Sequence, residues 1–431
     1  MKNFNEFKTH MFKHYPENIV EKLINTFDNS PTGCLLINQN KTTIEQLKNY
    51  FKTLMPHPFI KNAYYFNKEI DKPGKSFLFD NGAYYIMDSS SLIISYLLEI
   101  NDNDNILDLC AAPGGKSISI SLKNKNSNII SNDISMPRIL SMRENIERLG
   151  IANIVLTNND FSNVYKKFLN SFDIIILDAP CSGSSMFRKN ISAQLDWSID
   201  KVNKCVEIQK ALIDIAFQML KPNGILSYST CSFSYEENEG VILDFIKKNR
   251  NAYLVDIPKI EGEYRHPDLP NAIHLFPFLY KGEGQFVCQI KKVSNEFSNR
   301  KINKKLEENK LAIYNLNYFK HQEIFKNHIF LFNNELDLTS LNIIKKGLDA
   351  FEIRNNENIP TFHLAHYLPK NNSIKLDESE AKKYLHGDVI IRNNLRLNDG
   401  YYIVSFDSIN LGIIKKVGSN LKNFYPKGLR H

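Results

Sequence analysis

The sequence predicts an α/β protein: a doubly wound parallel sheet, with an α+β region before it and a small β-rich domain after it. Two observations carry this. Between about residues 86 and 293, short apolar runs of strand length alternate with helical stretches, the pattern of a parallel sheet covered on both faces. A glycine-rich turn joins the first of these strands to its helix, where open α/β sheets hold ligands. A chain of 431 residues is long enough for two or three domains, each with its own core.

Residues 1–85 form the N-terminal α+β region. Pro16 ahead of ENIVEKLINTF starts one helix, and Glu45–Leu54 predicts another. Residues 86–293 form the sheet domain. Its expected strands are Asn105–Leu109, Asn128–Asn132, Asn153–Thr157, Asp173–Leu177 and Ile225–Ser229, and GQFVCQIKK supplies a last one. Helices are expected over Lys116–Lys123, Pro137–Leu149, Cys205–Leu220 and Glu237–Lys248. Residues 294–310 read as a charged linker. In residues 311–431, the runs GDVIIR, GYYIVSF and NLGIIKKV predict the closing β-domain.

Composition sets bounds. An apolar share of 42% and a charged share of 23% are those of a globular chain. No apolar run approaches the roughly eighteen residues of a membrane span, and the N-terminus lacks the form of a secretory signal. A soluble, cytoplasmic protein without membrane contact is expected. The six cysteines stand at 34, 110, 181, 205, 231 and 288, with no pair at zinc-ligand spacing, so free thiols and no metal are expected. Of the net charge of +7, residues 294–431 carry +6, and the last 24 residues hold five cations and no acid. Such a run is either a solvated tail or an approach for nucleic acid.

Chemistry concentrates at strand ends. In NILDLCAAPGGKS, the residues Cys110, Ala111, Ala112, Pro113, Gly114, Gly115 and Lys116 turn from strand to helix. Gly114 and Gly115 let a ligand approach the backbone, and the helix start with Lys116 favours a negative group. Asp133 ends the next strand, where a carboxylate matches the hydroxyls of a ribose. Asp160 follows the third strand, placed to border an adenine. The fourth strand delivers Asp178 and Cys181 in DAPCSGSSMFRKN, and the fifth delivers Cys231 in TCSFS. Cys34, Cys205 and Cys288 read as small core hydrophobes. Cys181 and Cys231 lie in polar loops at the ligand edge, and a thiol there suits covalent catalysis. Addition of a thiolate to C6 of cytosine makes C5 nucleophilic, and a carboxyl group near N3 supports the charge that develops. Spacing leaves the two thiols equal candidates.

These motifs, with NDIS, NIERLG, Trp197, the KPNG–YSTC junction and STCSFSYEENEG, resemble in order and spacing the Nop/Sun family of RNA cytosine-5 methyltransferases, and within it the bacterial RsmF-like branch. The resemblance spans about residues 15–293 and returns in KNFYPKGLR at the end. It implies a Rossmann-like class I methyltransferase domain with a PUA-like domain behind it. It implies S-adenosylmethionine held by Cys110–Lys116, Asp133 and Asp160, with Arg138 and Asp178 at its edge. Cys231 would be the nucleophile, Cys181 would assist proton removal or product release, and Asp178 would contact the base.

RNA is the implied partner, first of all small-subunit (16S) ribosomal RNA or the assembled subunit, and the enzyme is expected to act as a monomer. Transfer RNA and large-subunit (23S) RNA are alternative substrates for the same chemistry. A non-catalytic assembly factor is the alternative of another class, against which stand both thiols, Asp178 and Lys116. The target base is expected to flip out of its stack. Tyr401, Tyr402, Phe424, Tyr425, Lys415, Lys416, Lys422, Lys427 and Arg430 are candidate RNA contacts. The chain departs from the family pattern at Leu36, Met87, Ser184, Ser185, His274 and Phe278, none of them a chemical position.

Overall fold

The computed structural model describes residues 2–294, 307–308, 316–369 and 373–430. At its centre is a nine-stranded sheet. Eight of its strands are β1 (Asn105–Asp108), β2 (Asn128–Asn132), β3 (Ile154–Thr157), β4 (Phe172–Asp178), β5 (Leu220–Thr230), β6 (Ala252–Leu254), β7 (Phe286–Lys292) and β8 (Ile343–Lys346). The order is β6-β7-β5-β4-β1-β2-β3-β8, and the short strand Ile273–His274 pairs with β7. β5, β4, β1, β2 and β3 are mutually parallel, and β6, β7 and β8 run antiparallel to their neighbours.

The strands read as continuous apolar runs because both faces are covered. On one face Ile106, Ile129, Ile174 and Ile176 pack on α1 (Gly115–Lys123) and α2 (Met136–Leu149) through Ile118, Ile120, Met142 and Ile146. On the other, Leu107, Ile130, Ile175 and Leu177 meet α3 (Ile199–Met219) and α4 (Glu239–Lys248) through Ile213, Phe217, Ile242 and Phe245. From β1 the chain adds β2 and β3 on one side, then returns to add β4 and β5 on the other. The switch point therefore lies between β1 and β4, where the ligand crevice of such a sheet opens.

Several boundaries differ from the sequence reading. α3 starts at Ile199 rather than at residue 205, because the Ser198 hydroxyl accepts the Lys201 N–H at 3.2 Å and caps it. The helix expected over Glu45–Leu54 is only Ile44–Lys48, since the Asp71 carboxylate takes the N–H groups of Lys52 and Thr53 (3.0 and 2.9 Å) and draws the chain away. The N-terminal region also holds a four-stranded sheet, whose strand Tyr84–Met87 crosses the expected border at residue 85. Its first helices bury Phe7, Met11, Val20 and Leu23 against Trp197, Phe187 and Phe233, on the loops that follow β4 and β5.

The expected linker 294–310 lies outside the described residues except for 294 and 307–308. Beyond it, β8 leaves the C-terminal part of the chain and pairs with β3. Two buried lysines lock this junction. Lys345 donates to His363 Nδ1 (2.9 Å), whose Nε2–H reaches the Ile151 carbonyl (2.8 Å). Lys41 donates to the carbonyls of Asn81 and Arg148 and to His366 Nδ1 (2.9 Å). The chain closes with a five-stranded sheet containing Gly400–Phe406 and Ile409–Val417, backed by the helix Glu378–His386; the run GDVIIR contributes only Ile390–Ile391.

Candidate active site

In the parallel register of β4 and β5, Asp178 lies beside Ser229. The Ser229 hydroxyl donates to Asp178 Oδ1 at 2.7 Å, and the Ala179 N–H donates to the Ser229 carbonyl at 2.9 Å. The two chains thus leave the sheet in step, and the thiols three and two residues further on meet. Cys181 Sγ and Cys231 Sγ are 3.1 Å apart. β7 runs back along β5 and sets Gln285 so that its Nε2 also donates to Asp178 Oδ1, at 2.9 Å. Across the switch point, Lys116 Nζ donates to Asp178 Oδ2.

The thiols are not equivalent. The hydrogen bond between them, together with Lys116 and Ser185, draws the Cys231 thiol below its ordinary range, against burial and the Asp178 charge. The same bond, burial and the charges of Cys231, Glu237 and Asp178 push Cys181 well up. The two sulfurs are within hydrogen-bond distance, and either can donate. Burial opposes the Lys116 ammonium, but the Asp178 carboxylate at its Nζ outweighs this and raises its pKa.

The turn from β1 to α1 has a cis Ala112–Pro113 peptide, and Gly114 has φ +109°. A side chain at Gly114 would be strained and would meet Met142 Cγ at 2.9 Å. Asp133 ends β2 as expected, and its carboxylate is tied into this turn. It accepts the N–H groups of Ala112 (3.2 Å) and Ser135 (2.9 Å), and Arg138 Nη1 lies 3.2 Å away. Arg138 also donates to the Ala112 carbonyl. Asp160 is exposed and caps the short turn Phe161–Asn163 by accepting the Ser162 N–H at 2.9 Å. Among the described residues, two buried polar atoms at this edge have no partner, Asp108 Oδ1 and Asn159 Nδ2. Burial raises the Asp108 pKa to about 7, against its hydrogen bond from Ser117. This donor set fits a nucleoside carrying an amino-acid arm. The residues that could hold such a group are the α1 start and Lys116 for the amino acid, Asp133 for the ribose, and Asn159 beside Asp160 for the base.

The sequence reading missed Glu237, Ser229 and Gln285. Glu237 is fully buried, and its carboxylate accepts from Ser182 N (2.7 Å), Ser182 Oγ (2.5 Å), Ser232 Oγ and Gln209 Nε2 (3.1 Å). The repeated Cys-Ser pair in PCS and TCS was the available signal.

Other expected positions sort by burial. Cys34, Cys205 and Cys288 are core residues. Leu36 is buried in the N-terminal sheet, and His274 is buried with Nε2 2.5 Å from Glu239 Oε1. Phe278 stacks on Phe276, and Met87 lies against Gly115. Ser184 Oγ accepts the Phe233 N–H at 2.8 Å, and the Ser185 N–H reaches the Cys231 carbonyl at 3.0 Å. Of the candidate RNA contacts, Tyr425 is corrected: it is 1% exposed, packed on Tyr384 and Phe362 as core. Lys416 is buried too, 3.3 Å from Asp399. Phe424, Lys422, Lys427 and Arg430 are exposed, and Lys415 Nζ lies 4.9 Å from the centre of the half-exposed Tyr401 ring. Tyr402 is half-exposed, its hydroxyl on the Asn398 carbonyl at 2.9 Å. Among the described residues no helix is long and apolar enough to cross a membrane, and no cluster of metal-ligating side chains occurs.

Residues 95–291 match the family model of the 16S rRNA methyltransferase RsmB/F, and residues 371–431 match that of the methyltransferase RsmF PUA domain. The chain is 30% identical to a ribosomal RNA small subunit methyltransferase F of Vibrio parahaemolyticus, over 88% of this chain and 86% of that protein. It is 29% identical to the protein of the same name from Shewanella piezotolerans, over 89% and 88%. Among solved structures, a methyltransferase homolog protein from Pyrococcus horikoshii superposes with a TM-score of 0.58 at 26% identity, over 66% of this chain and 94% of that one. NSun6 from the same organism, solved with SFG, shares the fold with a TM-score of 0.60 at 21% identity, over 67% and 98%.

Proposed function

The chain belongs to the ribosomal RNA small subunit methyltransferase F family, and on that premise we propose that it methylates C5 of a cytosine in 16S ribosomal RNA, with S-adenosylmethionine as methyl donor. The observation that carries the chemistry is the pair of thiols, Cys181 Sγ and Cys231 Sγ 3.1 Å apart, beside the Asp178–Lys116 ion pair.

Cys231 adds to cytosine C6 as the thiolate. Asp178, gripped by Lys116, Ser229 and Gln285, stands at the N3 edge of the ring, and a proton passed through it from the Lys116 ammonium goes to N3 as negative charge develops there. Cys110–Lys116, Asp133 and the edge at Asn159 and Asp160 would hold S-adenosylmethionine, which when bound would supply the electrophilic methyl group. Solvent water takes the C5 proton, the C–H electron pair reforms the C5=C6 bond, and Cys231 leaves as the thiolate, which restores the aromatic ring. The Cys181 S–H, donating to the departing sulfur, stabilises the thiolate and assists release. A base on a strand or in a helix cannot reach this recessed pair while stacked, so the cytosine is flipped out. The exposed Phe424, Lys422 and Lys427 and the half-exposed Tyr401 and Lys415 supply stacking and phosphate contacts for the rest of the RNA. The reading is of a cytoplasmic monomer.

With purified protein, RNA and methyl donor, Cys181→Ala accumulates a covalent protein–RNA adduct and Cys231→Ala forms none. The reverse pattern exchanges the two roles, and no adduct with either variant sinks the covalent mechanism. Bisulfite mapping of total RNA with and without the gene names the target: one or more 16S cytosines lose protection on deletion. Loss confined to transfer RNA or 23S RNA would move the substrate there.

A further inference from the structure

The register of β4 and β5 brings the two thiol loops side by side, but each thiol lies beyond the last paired residues of its strand, so the sheet alone does not fix their spacing. A single carboxylate spans both loops. Glu237 ends the short turn Tyr235–Glu237 and is fully buried, and the partners of its carboxylate among the described residues are Ser182, Ser232 and Gln209, none of them a cation. It accepts two hydrogen bonds from Ser182, the residue after Cys181, and one from Ser232, the residue after Cys231. The two serine hydroxyls also meet each other at 3.1 Å. Gln209 Nε2 completes the set, donating to Glu237 and to the carbonyl of Pro180, the residue before Cys181. The backbone of Glu237 is itself tethered, its carbonyl accepting from the Tyr228 hydroxyl at 2.6 Å.

A buried carboxylate without a cation opposes folding unless several donors satisfy it, and an apolar side chain fills such a place at less cost. Here every donor but Gln209 belongs to a residue directly after a thiol, and Gln209 holds the residue before one. We propose that Glu237 is a positioning residue: by gripping the serine that follows each cysteine, it sets the distance between the two thiols. This deepens the methyltransferase reading and rests on it only for the catalytic consequence.

The test separates thiol geometry from turnover. The full-length chain without RNA is treated with oxidised glutathione, and formation of the Cys181–Cys231 disulfide is followed by peptide mass mapping. Loosening the loops by about an ångström slows this closure about tenfold in Glu237→Ala, and turnover falls up to about a hundredfold with KM for RNA unchanged. Glu237→Gln restores most of both rates, because the two hydroxyls can reverse and donate to its oxygen or accept from its amide. The double variant Ser182→Ala/Ser232→Ala repeats the Glu237→Ala result, and it carries the test if Glu237→Ala does not fold. Disulfide closure at the wild-type rate in folded variants overturns the proposal, as does a rise in KM with kcat unchanged. Slowed closure in a chain whose wild type methylates no RNA upholds the positioning role and sinks the methyltransferase reading instead.

Discussion

Lys116 and Asp178 close on each other across the switch point of the sheet, joining the turn after β1 to the loop after β4. The donor side of the crevice and its base-binding side are thereby one unit. Asp178→Asn leaves the Lys116 ammonium half-buried without its partner. Single-turnover methyl transfer should fall about a hundredfold or more, and denaturant unfolding should show a loss of about 2 kcal/mol, less than for a fully buried pair. An unchanged single-turnover rate would remove Asp178 from the chemistry.

The N-terminal helices dock through a titratable contact. His10 Nε2 and His14 Nε2 lie 2.9 and 3.1 Å from the two oxygens of Glu236. Burial raises the Glu236 pKa, but the hydrogen bond from His10 and the two histidine charges outweigh it and lower it to about 2. A carboxylate depressed in the folded state contributes stability that is fully present above its ordinary value of 4.5 and is lost as pH falls toward 2. Trp197, the only tryptophan, is buried with its ring 5.7 Å from that of His10. Its fluorescence should report undocking between pH 4.5 and 2 in the wild type. Glu236→Gln should remove that part of the acid dependence; an identical titration would place the linkage elsewhere.

The closing β-domain separates two roles among neighbouring aromatics. Tyr425 is core, so Tyr425→Ala should cost about 3–5 kcal/mol in thermal or denaturant unfolding. Phe424→Ala and Tyr401→Ala should leave the melting temperature within a few degrees and weaken RNA binding. A wild-type RNA affinity in both variants would move the RNA surface away from this edge.

Truncation after residue 293 removes β8 and bares the edge of β3, including Val155 and Leu156. It also removes His363 from the Ile151 carbonyl and His366 from Lys41. An uncovered edge strand templates association. The fragment should aggregate on size-exclusion chromatography even though it retains every proposed catalytic residue. A stable monomeric fragment would show that β8 is dispensable.

What the sequence made legible follows from the range of the forces involved. The runs around Ile129, Ile154 and Ile175 place strands by local apolar content, and Cys110–Lys116, Asp133, Asp178 and the two thiols follow from their positions at strand ends. Glu237 was hidden because EENE looks like a solvated acidic run; its burial depends on Ser182, 55 residues earlier. β8 was hidden because IIKK is short and half charged, and Lys345 is buried only with His363 and Glu147 as partners. The inequivalence of Cys181 and Cys231 was likewise invisible, since it arises first from the contact between the two thiols and then from their buried surroundings, including Lys116 for one and Glu237 for the other. Tyr425 and Lys416 looked like their exposed neighbours until the strand faces were known.

The pairing of β8 with β3 has a consequence for synthesis. The last strand of the central sheet is encoded nearly two hundred residues after its partner. While the chain is being made, β3 remains an open edge until residue 346 has emerged, with every residue proposed for catalysis already outside the tunnel. Completion of the sheet therefore waits on a contact of long sequence separation, which is slow to form. The nascent chain presents this open strand edge for most of the time spent translating its second half.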